Sequence, residues 1–369
     1  MSAVMAVPRP SRLEGQLQAR LRPPSIGEPL AREVLARFGL APAGRPRNLG
    51  GGRRSRNVVV DTDRGRKVIK RYRERWDAAT VSYGHSILLR LEALGLPAPR
   101  LVRASDGATW AQLEGGVYAV FDLLDGRGYA SSYLRRRDRL HLLARAGATL
   151  ARMHAGLEGF EPDGRHHMAF ASLDGPRVRD AAWYAATVEE LEARADGSDP
   201  AVSRLVLEAP SAVLAIGELE VALDGLPRTV IHGDYGLHNV VFRADDAVPI
   251  DFELSRLDLR VSELVLFLAR VVDAAPGSPD LGAWDALASG YSRVESLTTD
   301  EREAFGRVWR LQQLTSAVRN WQTSETAADP RVRIATAVRC LDRAGWIDER
   351  LDVTRRPLGA TVEGDHAAR

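Results

Sequence analysis

The stretch His-Gly-Asp-Tyr-Gly-Leu-His-Asn at residues 232–239, followed by Ile-Asp-Phe-Glu at residues 250–253, decides the fold of this 369-residue chain. It places a carboxylate at Asp234, an amide at Asn239 five residues later and a second carboxylate at Asp251 twelve residues after that. Short β-type runs border both segments, so these side chains are expected on loops at strand ends. Asn, Asp and Gly also favour ordinary turns, which is the alternative interpretation.

The spacing of these side chains suits phosphoryl-transfer chemistry. Asn239 and Asp251 can converge on one hard cation, because magnesium prefers oxygen ligands and needs only one or two from the protein beside phosphate oxygens and water. Phosphoryl transfer requires mainly positioning and charge neutralisation, with a carboxylate such as Asp234 to orient the incoming hydroxyl group.

A Gly-rich turn lies upstream of these loops. Gly50, Gly51 and Gly52 precede a β-type run, and glycine permits the close backbone approach by which N–H groups close over phosphates. An ordinary hairpin is the alternative. The chain has neither a GxxxxGK[ST] pattern nor a GxGxxG that opens a helix, so a P-loop and a dinucleotide-binding fold are excluded.

Lysine is rare in this chain. Of its 51 basic residues only Lys67 and Lys70 are lysines. Both lie in the predicted strand KVIKRY, where alternation of side chains places them on opposite faces, so they cannot both point at one ligand. Arg71 and Tyr72 follow Lys70 directly. We expect Lys67 to be a solvated strand residue beside a turn.

From residue 49 to about residue 268, these motifs occur in the order typical of the aminoglycoside phosphotransferase and choline kinase superfamily, which the chain resembles. The resemblance implies that Asp234 is the catalytic base, that Asn239 and Asp251 are the magnesium ligands and that His232 supports the loop. It also implies that Lys70 contacts the α- and β-phosphates of ATP. A compact ammonium there would not be replaceable by a wider planar guanidinium.

The same resemblance implies an α+β, bilobal protein-kinase-like fold with a small β-rich N-lobe and a larger, mainly helical C-lobe. The N-lobe is expected over residues 26–121, a hinge over 122–126 and the C-lobe over 127–354. The remaining ends, 1–25 and 355–369, are expected to be frayed. Near the hinge, backbone groups would read the adenine edge, and the side chains expected to flank the ring are Phe121 and Leu123.

After the lysine strand a helical run is predicted over about residues 78–94, and Gly95 and Pro97 supply its end signal.

Two departures from the family pattern bear on activity. Relatives usually supply a glutamate from the helix after the lysine strand, and that position falls near Gly84 and His85, where no carboxylate stands. An alignment slip, another partner such as Asp251, or an impaired enzyme would each account for this. Many relatives also carry a histidine two residues after the catalytic aspartate, where this chain has Gly236; nearby His238 is expected to be a solvated loop residue.

Two residues outside the motif are predicted to have structural roles. His154 lies on the apolar face of a predicted helix and is expected to be a satisfied core histidine. Glu263 stands at the predicted start of a later helix, where a carboxylate suits the helix dipole and can support the catalytic loop.

Composition restricts the partners and the compartment. A net charge of +2 is too balanced to indicate nucleic acid or an anionic membrane as partner, and the apolar run at 264–272 is too short to cross a bilayer. The single cysteine, Cys340, excludes an intrachain disulfide, and no secretion signal is visible, so a cytoplasmic protein is expected. No feature indicates an oligomeric state.

The sequence therefore predicts an ATP- and Mg2+-dependent kinase that phosphorylates a small-molecule hydroxyl acceptor. The acceptor could be an aminoglycoside, an amino alcohol, a sugar, a homoserine-like amino acid or a secondary metabolite. The alternative is a nucleotide-binding pseudokinase that acts as an interaction module.

Overall fold

The computed structural model describes residues 26–49, 56–74, 76–128, 136–165, 186, 189–190, 192–193, 199–244, 246–271, 281–324 and 329–348. The chain divides into two compact units: Met1–Gly126 with Glu161–His167, and Arg127–Phe160 with Met168–Arg369. The first division falls at the end of the predicted hinge. The ends expected to be frayed lie outside the described residues. Within the described ranges, no helix has the length and apolar character needed to cross a membrane.

The first unit is built on a five-stranded antiparallel sheet in the order β1-β2-β3-β5-β4. Its elements are α1 (Glu28–Arg37), β1 (Arg47–Asn48), β2 (Arg56–Thr62), β3 (Gly65–Arg71), α2 (Ala78–Ala93), β4 (Ala111–Leu113) and β5 (Gly116–Asp122). One face of the sheet packs against α1, where Ile69 of β3 and its cross-strand partner Val58 lie in a buried cluster with Leu35. Because strand side chains alternate, Lys70 and Tyr72 lie on the other face.

Helix α2 begins and ends where the sequence predicts. The carboxylate of Asp77 caps its first turn by accepting a hydrogen bond from the Thr80 N–H at 2.8 Å. Gly95, with φ +69°, follows the last turn in the left-handed conformation that commonly ends helices. The buried face of α2 includes Val81, His85 and Ile87, so a histidine stands among its apolar core residues.

A short return segment, Glu161–Arg165, packs on α2 within the first unit, and no sequence pattern predicts it. The Arg165 N–H donates to the Ala79 carbonyl at 3.1 Å, and the Asp163 N–H donates to Ser86 Oγ at 3.0 Å. Gly164 approaches the helix so closely that a Cβ would lie 2.3 Å from the Ala79 carbonyl oxygen. Glycine is required there because both its φ of +97° and this distance exclude a side chain.

The second unit is mainly helical, with two small antiparallel sheets in the orders β6-β8-β9 and β10-β7. Its elements are β6 (Arg127–Gly128), α3 (Arg136–Gly156), α4 (Pro200–Ala222), β7 (Arg228–Ile231), β8 (Val240–Phe242), β9 (Ala247–Pro249), β10 (Arg256–Leu259), α5 (Arg260–Val271), α6 (Leu281–Ser292), α7 (Thr299–Gln322) and α8 (Pro330–Asp348). The α+β class and the β-rich first part predicted from the sequence are confirmed.

Helices α3 and α6 cross at unusually close range, and glycine makes this possible on both sides. A Cβ at Gly147 would lie 2.1 Å from the Leu287 carbonyl oxygen, and one at Gly290 would lie 1.9 Å from that of Ala144. The same crossing holds His154, whose Nδ1 is 2.9 Å from the Tyr291 hydroxyl. Burial, and secondarily Arg260, lowers the pKa of His154 to about 3, so it is a neutral core histidine, as expected. It is only half satisfied, because its Nε2 is buried with no hydrogen-bond partner among the described residues.

Candidate active site

The β8–β9 hairpin brings the two predicted metal ligands to one end of a small sheet. Val240 pairs with Pro249, so Asn239 and Asp251 lie just beyond the last pair of the ladder. A hydrogen bond from the Ile250 N–H to the Asn239 carbonyl, 2.8 Å long, closes this end. The twelve-residue separation in the sequence is therefore the length of one hairpin.

Asp251 has φ +67° and ψ +61°, the left-handed region that residues other than glycine seldom adopt. Strain of this kind costs on the order of 1–3 kcal/mol and concentrates at functional sites. A single 3-10 turn, Phe252–Leu254, follows directly. The backbone thus accepts a strained residue at the position predicted to ligate a cation.

Asn239 links the hairpin to the predicted catalytic carboxylate. Its side-chain nitrogen donates to Asp234 Oδ2 at 2.9 Å and to the Asp234 carbonyl at 3.1 Å. Because the nitrogen is engaged by Asp234, the oxygen Oδ1 is the atom of this amide that can ligate a cation. With the Asp251 carboxylate it forms a hard-oxygen donor set that fits Mg2+.

The other carboxylate oxygen of Asp234, Oδ1, lies 3.7 Å from His238 Nε2. The His238 side chain is half-buried, and burial lowers its pKa more than nearby Asp251 raises it. With 49% of its side chain exposed, His238 is the solvated loop residue that the sequence predicts. His238 stands beside the predicted base, and Asp251 is near enough to act on its charge.

His232 ties the two halves of the motif together. Its Nε2 donates to the Ile250 carbonyl at 2.9 Å, while its Nδ1 accepts from the Asp234 N–H at 3.3 Å. These roles fix the tautomer of the neutral ring. The ring also packs on Phe252, with centroids 4.6 Å apart. One fully buried side chain thus fixes both loops relative to each other.

Glu263, in the first turn of α5, anchors the catalytic loop from beneath. Its fully buried carboxylate accepts hydrogen bonds from three backbone N–H groups: those of His232, of Gly233 at 3.1 and 3.2 Å, and of Tyr235 at 3.4 Å. Burial raises the pKa of Glu263 to about 7 even though Arg256 and these N–H groups act in the opposite direction. Through these hydrogen bonds Glu263 supports the loop, as the sequence analysis expects.

The close packing of this loop leaves room only for glycine at position 233. Gly233 has φ +75°, and a Cβ would lie 2.0 Å from the Leu254 carbonyl oxygen and 2.6 Å from Nη1 of Arg256. That arginine is itself buried and paired with Asp258 at 2.8 Å. The glycine of the His-Gly-Asp motif is therefore required by the loop that follows Asp251.

In the first unit, Lys70 is 7% exposed and lies opposite Ala119 of β5. Lys67 is buried too, and its ammonium binds the Asp122 carboxylate at 2.5 Å. The prediction of a solvated Lys67 is wrong, because its cross-strand neighbour at the end of β5 supplies an anion.

Helix α2 has one acidic residue, Glu92, and it is ion-paired with Arg100 at 2.8 Å. An alignment slip along α2 therefore does not bring a carboxylate to the lysine strand. The position on α2 where relatives carry the glutamate is occupied instead by His85, whose Nε2 lies 2.8 Å from the Tyr72 hydroxyl.

Phe121 and Leu123, which are predicted to flank the adenine ring, both lie in described parts of the first unit. Phe121 is largely buried, and its ring meets that of His85 edge-on with centroids 6.0 Å apart. Leu123 is half-buried, and its N–H donates to the Arg66 carbonyl at 3.1 Å. The predicted glycine turn, residues 50–52, lies outside the described residues.

The fold and the loop geometry define a class: a kinase-like phosphotransferase in which Asn239 holds Asp234 beside the hairpin end that carries Asp251. The chain belongs to the phosphotransferase enzyme family, whose model matches residues 46–297. The resemblance expected from the motifs is confirmed.

Curated relatives include homoserine kinases. The enzyme of Gluconacetobacter diazotrophicus is 31% identical over 260 residues, covering 70% of this chain and 74% of that protein. The enzyme of Caulobacter vibrioides is 27% identical over 295 residues, covering 78% of this chain and 80% of that protein.

Solved structures share the fold at low identity. A microcompartment-associated aminopropanol kinase matches with a TM-score of 0.61 at 15% identity, covering 89% of this chain and 99% of that one. An aminoglycoside phosphotransferase from Alicyclobacillus acidocaldarius matches with a TM-score of 0.60 at 18% identity, covering 94% and 99%. The protein is thus an enzyme, a small-molecule kinase that transfers phosphate to a hydroxyl acceptor. The pseudokinase alternative finds no support.

Proposed function

We propose that this enzyme transfers the γ-phosphoryl group of ATP, with Mg2+, to the hydroxyl group of homoserine or a closely similar amino acid. The observation that supports the catalytic part is the placement of Asp234, whose Oδ2 accepts a hydrogen bond from the Asn239 amide at 2.9 Å and whose Oδ1 lies 3.7 Å from His238 Nε2. The acceptor rests on the homoserine kinases, which are the most similar curated relatives named above.

Each side chain has a defined task in this proposal. Asp234 accepts the hydrogen bond of the acceptor hydroxyl and takes its proton. The hydroxyl oxygen bonds to the γ-phosphorus while the bond from that phosphorus to the oxygen of the leaving ADP breaks. Asn239 Oδ1 and the Asp251 carboxylate hold Mg2+, which when bound neutralises charge on the phosphate oxygens. In the other unit, Lys70 and the backbone of Gly50, Gly51 and Gly52 bind the phosphates, and Phe121 and Leu123 border the adenine beside the hinge at 122–126.

Among the other acceptors, an amino alcohol is the strongest second candidate, because the aminopropanol kinase shares this fold across most of both chains. Homoserine and an aminopropanol share an amine and a primary or secondary hydroxyl but differ in the carboxylate. Homoserine and 3-aminopropan-1-ol differ only in this group, so a comparison of these two acceptors separates the candidates. A cytoplasmic location fits the proposal, since ATP is supplied there and Cys340 is an unpaired, buried thiol.

The test is Mg2+-dependent ADP release from ATP with homoserine, threonine, aminopropanol, a monosaccharide and an aminoglycoside, with the product identified by 31P NMR. We expect kcat/KM to be highest for homoserine. Turnover of another member at least tenfold better than homoserine would contradict the proposed acceptor. ADP binding with no turnover of any member would contradict the proposed reaction.

A further inference from the structure

Lys70 lies against a buried aromatic ring on the face of the sheet that α2 covers. Its Nζ is 5.1 Å from the centroid of the Tyr72 ring, within the distance of about 6 Å at which a ring face attracts a cation. Lys70 and Tyr72 are each 7% exposed. Because little water surrounds them, this attraction is weakly screened and stronger than at an exposed site.

The Tyr72 ring is held in turn by a buried histidine. His85 Nε2 lies 2.8 Å from the Tyr72 hydroxyl, and its Nδ1 lies 2.8 Å from the Thr109 hydroxyl. Both nitrogens of the imidazole are therefore engaged, and the ring cannot turn without breaking a buried hydrogen bond. His85 also meets Phe121 edge-on, which restricts it from a third side.

His85 carries no charge in this arrangement. Burial first, and the nearby Lys70 second, lower its pKa to about 3, so the imidazole is neutral throughout the working pH range. A neutral ring does not repel the Lys70 ammonium. The negative face of the tyrosine ring attracts the ammonium and so restricts where it lies.

We propose that Tyr72 is a positioning residue for Lys70 and that His85 keeps the Tyr72 ring in place. The ammonium is presented to the nucleotide through a cation–π contact supported by a neutral hydrogen-bond network. This inference rests on the proposed function, in which Lys70 binds the α- and β-phosphates. Neither Tyr72 nor His85 touches substrate in this account.

Graded fluorination of the ring at position 72 tests the cation–π contact without changing its size. Mono-, di- and trifluorinated tyrosines replace Tyr72 and keep the hydroxyl that His85 contacts, and the Kd for Mg-ADP is measured by titration calorimetry, which needs no acceptor. We expect Kd to rise steadily with fluorine number, by about tenfold over the series, because fluorine weakens the negative face of the ring. A flat series overturns the inference.

A matched control is the same fluorination series at Phe38, a 2% exposed residue in the α1 core. This series changes packing but faces no nucleotide-binding lysine, so no trend in Kd is expected. An equal trend at Phe38 would show a general effect of fluorine and would overturn the inference.

The Lys70→Met background separates the inference from the proposed function. Lys70→Met should weaken Mg-ADP binding at least tenfold and make the position-72 series flat, because the cation that senses the ring is gone. Unchanged binding in Lys70→Met overturns the phosphate role of Lys70 and, with it, the inference. Weakened binding with a fluorine trend that persists overturns the inference alone.

His85→Leu tests the support of the ring. This variant should raise the Kd for Mg-ADP about threefold in the Tyr72 protein and leave it unchanged when Lys70→Met is also present. Circular dichroism and thermal unfolding report whether each variant is folded. An unchanged Kd in folded His85→Leu overturns the role of His85.

Discussion

The pH dependence of stability tests the role of Glu263 beneath the catalytic loop. Its pKa in the folded protein is about 7, against an ordinary value of 4.5, because burial disfavours the carboxylate. Between these pH values the folded chain holds a proton that the unfolded chain has released. Stability from this group is therefore fully present below pH 4.5 and is lost as the pH rises through about 7.

The size of this effect follows from the shift. Each pKa unit corresponds to about 1.4 kcal/mol, so the wild type should lose on the order of 3 kcal/mol relative to Glu263→Gln between about pH 4.5 and pH 8. At low pH the wild type should be the more stable of the two, because Gln places an NH2 group against backbone donors that now pair with carboxyl oxygen.

Urea unfolding at pH 5, 6, 7 and 8 measures the difference between the two proteins, in which all other titrating groups cancel. Glu158→Gln, at an exposed position, is the control, and its difference from wild type should stay within about 0.5 kcal/mol at every pH. A Glu263→Gln difference that is independent of pH, or that grows in favour of the wild type as pH rises, would refute the reasoning.

Three further predictions follow from close contacts in the two units. Gly233→Ala should lower the free energy of unfolding by more than about 2 kcal/mol, because the new Cβ would meet the Leu254 carbonyl. A melting temperature within about 2 °C of wild type would contradict this prediction. Gly147→Ala should force α3 and α6 apart at Leu287 and lower the melting temperature by several degrees in calorimetry, and an unchanged melt would contradict this crossing. Lys70→Arg should reduce kcat/KM for ATP at least about tenfold, because a planar guanidinium does not fit a buried ammonium site; full activity would contradict it.

Local patterns accounted for most of the architecture. Period-two alternation placed Lys70 and Ile69 on opposite faces of β3, and the structure has Ile69 in the α1 core and Lys70 on the α2 side. Turn residues marked the ends of α2 correctly. These predictions succeeded because each depends only on residues within one helix or strand or directly next to it.

The prediction for Lys67 failed because the alternation of strand side chains predicts which face of the sheet a residue lies on but not which residues pack against that face. Its partner, Asp122, is 55 residues away in sequence and becomes a neighbour only through the β3–β5 register. The same limit applies to His85, whose two partners come from β3's end and from a loop 24 residues on. Local sequence patterns do not predict which distant elements pair, so they could not predict these contacts.

The candidate site includes features that the sequence predicts and features that it does not. The spacing between Asn239 and Asp251 predicted a shared location, and the β8–β9 register supplies its reason. By contrast, nothing in the spacing indicated that Asn239 would hold Asp234 through its nitrogen, or that Asp251 would adopt a left-handed backbone. Both follow from how tightly the loops pack on His232.

The central claim is that Asp234 orients the acceptor hydroxyl for phosphoryl transfer. The most direct test is to measure kcat with Mg-ATP and the best acceptor of the panel for wild type and Asp234→Asn, together with the Kd for Mg-ADP. The account predicts that kcat falls by about 10²- to 10⁴-fold while the Kd changes by less than about threefold, because the general base is lost and the nucleotide contacts remain. A kcat within about tenfold of wild type in folded Asp234→Asn would contradict it.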